Sequence, residues 1–323
     1  MVFHPDSLPD LNGKVYIVTG ATSGIGYYTA ARLAEHNAHV YICARTAEKG
    51  ESTVSSIRST YSNAKLGVLE MDHLRLSTIV AAAQYFLTRE TKLHGLVNNA
   101  GIMATPFAMT EDGYEAQWQT NYLAHWLFTR QLLPLMLATA KRAKEDGAPA
   151  GSVRIVNLSS FGHHSAPKEG INFADTALRH GTVMQRYGQS KLGNILHMKS
   201  LHKLYGPNSP SATSSGIELW VSAIHPGLVR SNLGARAELP GLVKALIVPY
   251  GWFGGYFDGD KGSWTSLFCI ASPEMVSANC GQYFQRIADP NGWQSAMAKD
   301  EKLAQKLEAW TEDEMKKGGW LKE

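Results

Sequence analysis

Residues 15–26 read Val-Tyr-Ile-Val-Thr-Gly-Ala-Thr-Ser-Gly-Ile-Gly, a short apolar run that opens into a glycine turn. Beyond it Ile25, Ala30, Leu33 and Ala34 recur at helical spacing. A strand with no polar face must be buried on both sides, and one that feeds a helix returns to its sheet in parallel. The same alternation continues through expected strands at 39–43, 66–71, 95–97 and 153–158, and runs past residue 280 without a linker or repeat. A chain of 323 residues can bury one large core, so one α/β domain over 1–323 is expected. The polar stretches 140–152 and 206–216 fall between elements and read as surface loops.

A strand-to-helix turn aims backbone N–H groups and the positive end of a helix dipole at one spot, where a phosphate fits. Glycine lets the backbone come close to it. The residues placed there are Gly20, Thr22, Ser23, Gly24, Ile25 and Gly26. Such a turn is weak evidence by itself, because loops are glycine-rich. Other strand ends agree with it. The second strand ends at Ala44-Arg45, where a site for NAD would carry an acid for the ribose 2′-hydroxyl. A guanidinium there suits a 2′-phosphate, so NADP(H) is expected over NAD(H), the bland alternative being an exposed loop arginine. Asp72 and His73 close the third strand, near where adenine would lie, and Asn98, Ala100 and Gly101 close the fourth.

Tyr187 and Lys191 stand four apart in an expected helix at 184–204 and so share a face. A fixed ammonium favours phenolate and lowers the phenol from its usual pKa of about 10, making a proton donor and acceptor usable near neutrality. The spacing is not unique, since Tyr61 and Lys65 repeat it on a polar turn at the other end of the sheet. Ser160, closing the fifth apolar run, singles out the later pair: its hydroxyl suits a substrate carbonyl oxygen. Ser159 is its rival, and strand alternation lets only one of the two face the crevice.

With these motifs the chain resembles the short-chain dehydrogenases/reductases over residues 10–290, through Thr19-Gly20 to Gly26, Asn98 to Gly101, Asn121, Ser160, Tyr187 with Lys191, and Pro226-Gly227. The stretches 121–125 and 159–164 are most similar to retinol-dehydrogenase-like enzymes and to reductases of fungal secondary metabolism. The resemblance implies a Rossmann-type doubly wound parallel sheet of about seven strands, with a substrate lid between the sixth strand and the next helix. It implies that Tyr187 exchanges a proton with the substrate oxygen, that Lys191 holds the nicotinamide ribose, and that Ser160 positions the oxygen. It further implies that Asn121 anchors a relay water and that Pro226, Gly227, Val229 and Ser231 contact the nicotinamide. Two departures stand out. The gap from Ser160 to Tyr187 is long, so 163–186 is expected to form a flap near the pocket, and, unlike many retinol dehydrogenases, the protein is expected to lack a membrane anchor before the first strand.

Residues 228–260 hold an apolar stretch broken by prolines and glycines, too apolar for a solvated loop. It is expected to be the substrate lid, with His163, Leu228, Trp252 and Phe253 beside Ser160 and Tyr187 at the substrate; a dimer contact or a membrane-surface contact are the rival readings. Residues 295–316 read as an amphipathic helix docked on the body. The net charge of +3 gives no basic stripe for nucleic acid, and three cysteines without metal-ligand spacing suit a reduced, cytoplasmic protein. His163-His164 reads as packing, no metal is expected, and no apolar run reaches the roughly 20 residues of a membrane span. The leading expectation is an NADP-dependent oxidoreductase interconverting a ketone and a secondary alcohol on a hydrophobic, cyclic or aromatic molecule. A retinal- or steroid-type dehydrogenase, a scaffold turned to other chemistry and a non-catalytic NADP(H) sensor are the alternatives; a homodimer through the helices of Asn121 and Tyr187 stays open.

Overall fold

The computed structural model describes residues 3–229 and 256–321. Strands β1 (Val15–Val18), β2 (His39–Ala44), β3 (Lys65–Glu70), β4 (Gly95–Asn98), β5 (Arg154–Leu158), β6 (Trp220–Ile224) and β7 (Tyr283–Phe284) form one sheet. Their order is β3-β2-β1-β4-β5-β6-β7, and every pairing is parallel. Helices α1 (Gly24–Glu35), α2 (Ala47–Thr60), α3 (Leu76–Arg89), α4 (Ala124–Glu145), α5 (Val183–Tyr205) and α6 (Gly259–Ala271) make the crossovers, and α7 (Glu301–Lys317) follows β7. This is the Rossmann-type doubly wound sheet, with seven strands. Ile17, Val18, Ile42, Leu96, Val97 and Val156 are almost wholly excluded from water, as strands covered on both faces require. The strand order reverses between β1 and β4, so their carboxyl ends open the crevice where such sheets bind ligands.

Residues 163–182 do not form a flap. They lie down between α5 and α7, held by Asn172 N–H to Gln189 Oε1 (2.9 Å) and Gln189 Nε2 to the Thr176 carbonyl (2.9 Å). Ile171, Ala177 and Leu178 are buried there, and Phe173 packs edge-on against Trp310. The reason is chemical: this stretch carries enough apolar surface to be worth burying.

The C-terminal helix α7 turns Leu303, Leu307 and Met315 inward and packs on α5, as its amphipathic spacing predicts. Before α4 the chain makes one α turn (Ala116–Trp118) and a π turn (Gln119–Leu123). Tyr122 of that π turn shares a buried hydrogen bond with Thr311 of α7 (2.7 Å). After β6, Phe257 N–H donates to the Leu228 carbonyl (2.8 Å), so the flanks of 230–255 meet. Ser231, Trp252, Phe253 and most of the expected lid lie outside the described residues. Among the described residues no helix is long and apolar enough to cross a membrane.

If α7 is a full member of the core, Leu307→Ala should cost about 2–5 kcal/mol of stability in urea unfolding. A loss under about 0.5 kcal/mol would mark α7 as surface decoration.

Candidate active site

The glycine turn is shaped by contacts that only glycine permits. Gly20 and Gly24 have φ of +61° and +55°. A Cβ on Gly26 would stand 2.4 Å from the Gly20 carbonyl oxygen and 2.5 Å from Asn99 Nδ2. Asn99 staples the turn from the next strand, donating from Nδ2 to the carbonyls of Thr19 (2.7 Å) and Gly20 (3.3 Å). At the start of α1, Ser23 makes no side-chain cap, and the first turn carries no acid. The dipole end of α1 is thus left for an anion.

Thr19 links this turn to the helix of Asn121. Its Oγ1 accepts from the backbone N–H groups of Asn99 (2.8 Å) and Ala100 (2.9 Å) and lies 2.9 Å from His125 Nε2. His125 Nδ1 lies 3.0 Å from the Asn121 carbonyl, which can only accept, so Nδ1 carries the proton. Burial holds the ring neutral, well below the usual histidine range. Nε2 therefore accepts, and the Thr19 hydroxyl donates to it. The polarised chain runs from the Asn99–Ala100 loop through Thr19 and His125 to the π turn; π turns gather at functional sites.

Asn121 is itself fixed at every polar atom. Oδ1 accepts from Ile102 N–H (2.8 Å), and Nδ2 donates to the Ile102 carbonyl (3.0 Å) and Ser190 Oγ (2.8 Å). Ser190 Oγ in turn donates to the Tyr187 carbonyl (2.7 Å), which ties Asn121 to the tyrosine's helix. Lys191 Nζ donates to the Leu158 carbonyl (2.9 Å) and lies 5.9 Å from the Tyr187 ring centre. A Cβ on Gly101 would reach within 3.0 Å of Asn121 Oδ1 and 3.4 Å of Lys191 Nζ, so glycine keeps that space open.

Gly188 brings Tyr187 to Ser160. A Cβ there would fall 2.5 Å from Ala166 N, so α5 meets the 3₁₀ turn Phe161–Ser165 backbone to backbone. The Tyr187 ring and Ser160 Oγ both border Gly162, 2.6 and 3.4 Å from where its Cβ would stand, and Ser160 Oγ accepts from Gly162 N–H (3.0 Å). Ser159 instead donates to the Lys191 carbonyl (2.7 Å), so of the two serines Ser160 is the one beside Tyr187. Burial dominates the ionisation: it pushes the Tyr187 phenol up to about 12, against the pull of Ser160, and Lys191 down to about 8. The expected lowering of the phenol by Lys191 is not what this geometry gives: burial raises it, with the Lys191 ammonium 5.9 Å from the ring centre.

Three expected ligand residues have other work. Asn98 faces the interior, bonding Thr129 and Asn157 (2.9 Å each), while its neighbour Asn99 serves the turn. His163 is buried; Nδ1 donates to the Ser160 carbonyl (2.7 Å), and Nε2 accepts from Ser295 N–H (3.1 Å). Both its nitrogens are spent, so it clamps rather than contacts a substrate. The buried His73 ring packs edge-on to His125 (4.8 Å), and burial holds it down at about 4. Arg45 is exposed at the end of β2, and Asp72 bonds the Leu74 N–H (3.1 Å). Pro226 and Gly227, the latter at φ +88°, follow β6 and lead to Leu228 and Val229.

The family model for short chain dehydrogenases matches residues 14–239. The chain is 46% identical over 316 residues to the short-chain dehydrogenase/reductase drtF of Aspergillus calidoustus, covering 97% of each. It is 36% identical over 296 residues to retinol dehydrogenase 12 of Mus musculus, covering 91% of this chain and 84% of that one. A crystal structure of an uncharacterized protein from Mycobacterium paratuberculosis superposes with a TM-score of 0.71 at 26% identity, covering 98% of each chain.

Removing the Thr19 hydroxyl strips Ala100 N–H of its partner and leaves Asn99 N–H with the Val97 carbonyl alone (3.0 Å), so Thr19→Val should cost about 1–3 kcal/mol. Because His125→Phe breaks the same chain, the double variant should cost less than the sum of the singles in urea unfolding. Additive losses would show that the two side chains act separately.

Proposed function

Because the chain belongs to the short-chain dehydrogenase/reductase family, we propose that it interconverts a ketone and a secondary alcohol on a hydrophobic, cyclic or aromatic small molecule, with NADP(H) as cofactor. The observation that carries this reading is that the Tyr187 and Ser160 side chains converge beside Gly162 at the carboxyl end of β5, with Lys191 and Asn121 fixed by hydrogen bonds nearby. A nicotinamide cofactor, when bound, supplies or takes up the hydride. The residues present suit such a group: α1 starts without a side-chain cap or an acid, and Gly101 leaves open the space before Asn121 and Lys191.

In this reading the turn Gly20 to Gly26 holds the pyrophosphate, Asp72 flanks the adenine, and Ala100 and Gly101 give the ribose side its room. Pro226, Gly227 and Val229 face the nicotinamide. The exposed Arg45 guanidinium takes the 2′-phosphate; among the described residues no acid pairs with it. Ser160 binds the substrate oxygen and sets its distance from Tyr187. Held as a neutral phenol, Tyr187 has a proton to give at neutral pH, which favours ketone reduction. Lys191 keeps positive charge beside the ribose until pH rises through about 8.

The identity to retinol dehydrogenase 12 favours, as a second reading, a retinal- or steroid-type oxidoreduction with the same residues. A sensor that binds NADPH without turnover is the reading from another class, and it makes no use of the Tyr187–Ser160 pair.

Tyr187→Phe should cut NADPH-dependent reduction of cyclic ketones by roughly 10²–10⁴-fold, as loss of a general acid does. The wild-type rate should fall as pH rises through about 8, where Lys191 loses its proton while Tyr187 keeps its own. A variant as active as wild type, or a profile flat to high pH, contradicts these roles. Arg45→Asp should weaken NADPH far more than NADH in a binding titration; equal weakening of the two argues against a 2′-phosphate contact.

A further inference from the structure

Beside Ser160 stands an exposed aromatic wall. Phe161, the next residue, is 45% exposed, and Trp293, from the segment after β7, is 65% exposed. With His164 they form a closed set of ring contacts, with centroids 4.7 Å apart for Phe161–His164, 4.7 Å for His164–Trp293 and 5.5 Å for Phe161–Trp293. Large apolar rings left in water lose the burial that would otherwise hold them in place.

These rings are nevertheless held. Trp293 N–H donates to Gln285 Oε1 (3.0 Å), and its carbonyl accepts from Gln285 Nε2 and His164 Nε2 (3.4 Å each). Gly292 anchors the same strand end, its N–H on the Tyr283 carbonyl (3.0 Å). Two residues on, Ser295 is bound to His163, whose other nitrogen grips the Ser160 carbonyl. Gly162 sits so close to Tyr187 that a Cβ would lie 2.6 Å from its ring. The wall is therefore registered to both reacting hydroxyls through hydrogen bonds and chain connectivity. The backbone of Trp293 is thus fixed before a ligand arrives, and the three rings brace one another, which lowers the cost of ordering them.

We propose that Phe161, His164 and Trp293 form the substrate subsite that recognises a flat, π-electron ring joined to or fused with the reacting carbonyl. The proposal rests on the ketone–alcohol reading and sharpens its substrate class from cyclic to aromatic or conjugated. A saturated ring is puckered and has no π face, so it forfeits the stacked and edge-to-face contacts that such rings offer. A flat ring gains them without moving the wall.

The test compares 1-tetralone with its saturated counterpart 1-decalone, using NADPH. Wild type should favour 1-tetralone. Trp293→Leu should raise the KM for 1-tetralone roughly ten-fold and that for 1-decalone less than two-fold. The kcat, the Tm and the NADPH affinity should hold, and Trp293→Phe should restore the preference. Phe161→Leu should repeat the pattern at smaller size. Equal shifts for both ketones, or none, overturn the subsite. If wild type reduces neither ketone, the reductase reading falls and equilibrium dialysis of the NADP⁺-loaded protein decides the subsite separately. Weakened binding of 1-tetralone alone in Trp293→Leu upholds it, and unchanged or equally changed binding overturns it.

Discussion

Four buried polar bonds sew the carboxyl end of β5 to the middle of α5. The Leu158 carbonyl accepts from both Lys191 Nζ and Asn194 Nδ2 (2.9 Å each). Ser159 Oγ donates to the Lys191 carbonyl (2.7 Å), and Asn157 Nδ2 to that of Asn194 (3.3 Å). Each would cost about 1–3 kcal/mol if a buried group were left without its partner. Together they allow α5 one rotation and one height on the sheet. Tyr187, one turn before Lys191, then has a fixed place, and Gly188 removes the side chain that would hold it away from Ser160.

The same seam explains why the ionisable groups behave as they do. A lysine placed to bond a strand-end carbonyl is taken out of water, and its proton becomes easier to lose. The phenol beside it is buried as well, and its proton becomes harder to lose. Rigid placement and shifted ionisation come from one cause, the burial that a sheet-to-helix junction imposes. The histidines follow the same rule: His125 and His163 stay neutral, and each uses one nitrogen to donate and the other to accept.

Much of the frame is legible in residue types alone, because strands without a polar face have one place to go. Tyr187, Lys191 and Ser160 are legible because helical spacing and a strand end bring their chemistry together. What hides is orientation. Asn98 and Asn99 are the same residue type, and only the strand pleat decides that one faces inward and the other the glycine turn. His163 and Phe161 ride a tight 3₁₀ turn, where two residues of chain swing a side chain from the rim to the interior. His125 sits in a stretch that reads as motif, yet its partner Thr19 lies 106 residues earlier, beyond the reach of any local pattern. The long stretch before α5 reads as an excursion by its length, whereas its apolar residues find α7, an element encoded far downstream.

That helix sets an order of events. Thr311 holds the hydroxyl of Tyr122, next to Asn121, and Ala304 and Glu308 take hydrogen bonds from α5 at Ser200 and His197. All seven strands are made before α7 leaves the ribosome. A nascent chain can thus assemble its sheet and still lack the brace behind Asn121 and Tyr187, so the scaffold is completed before the candidate site is held.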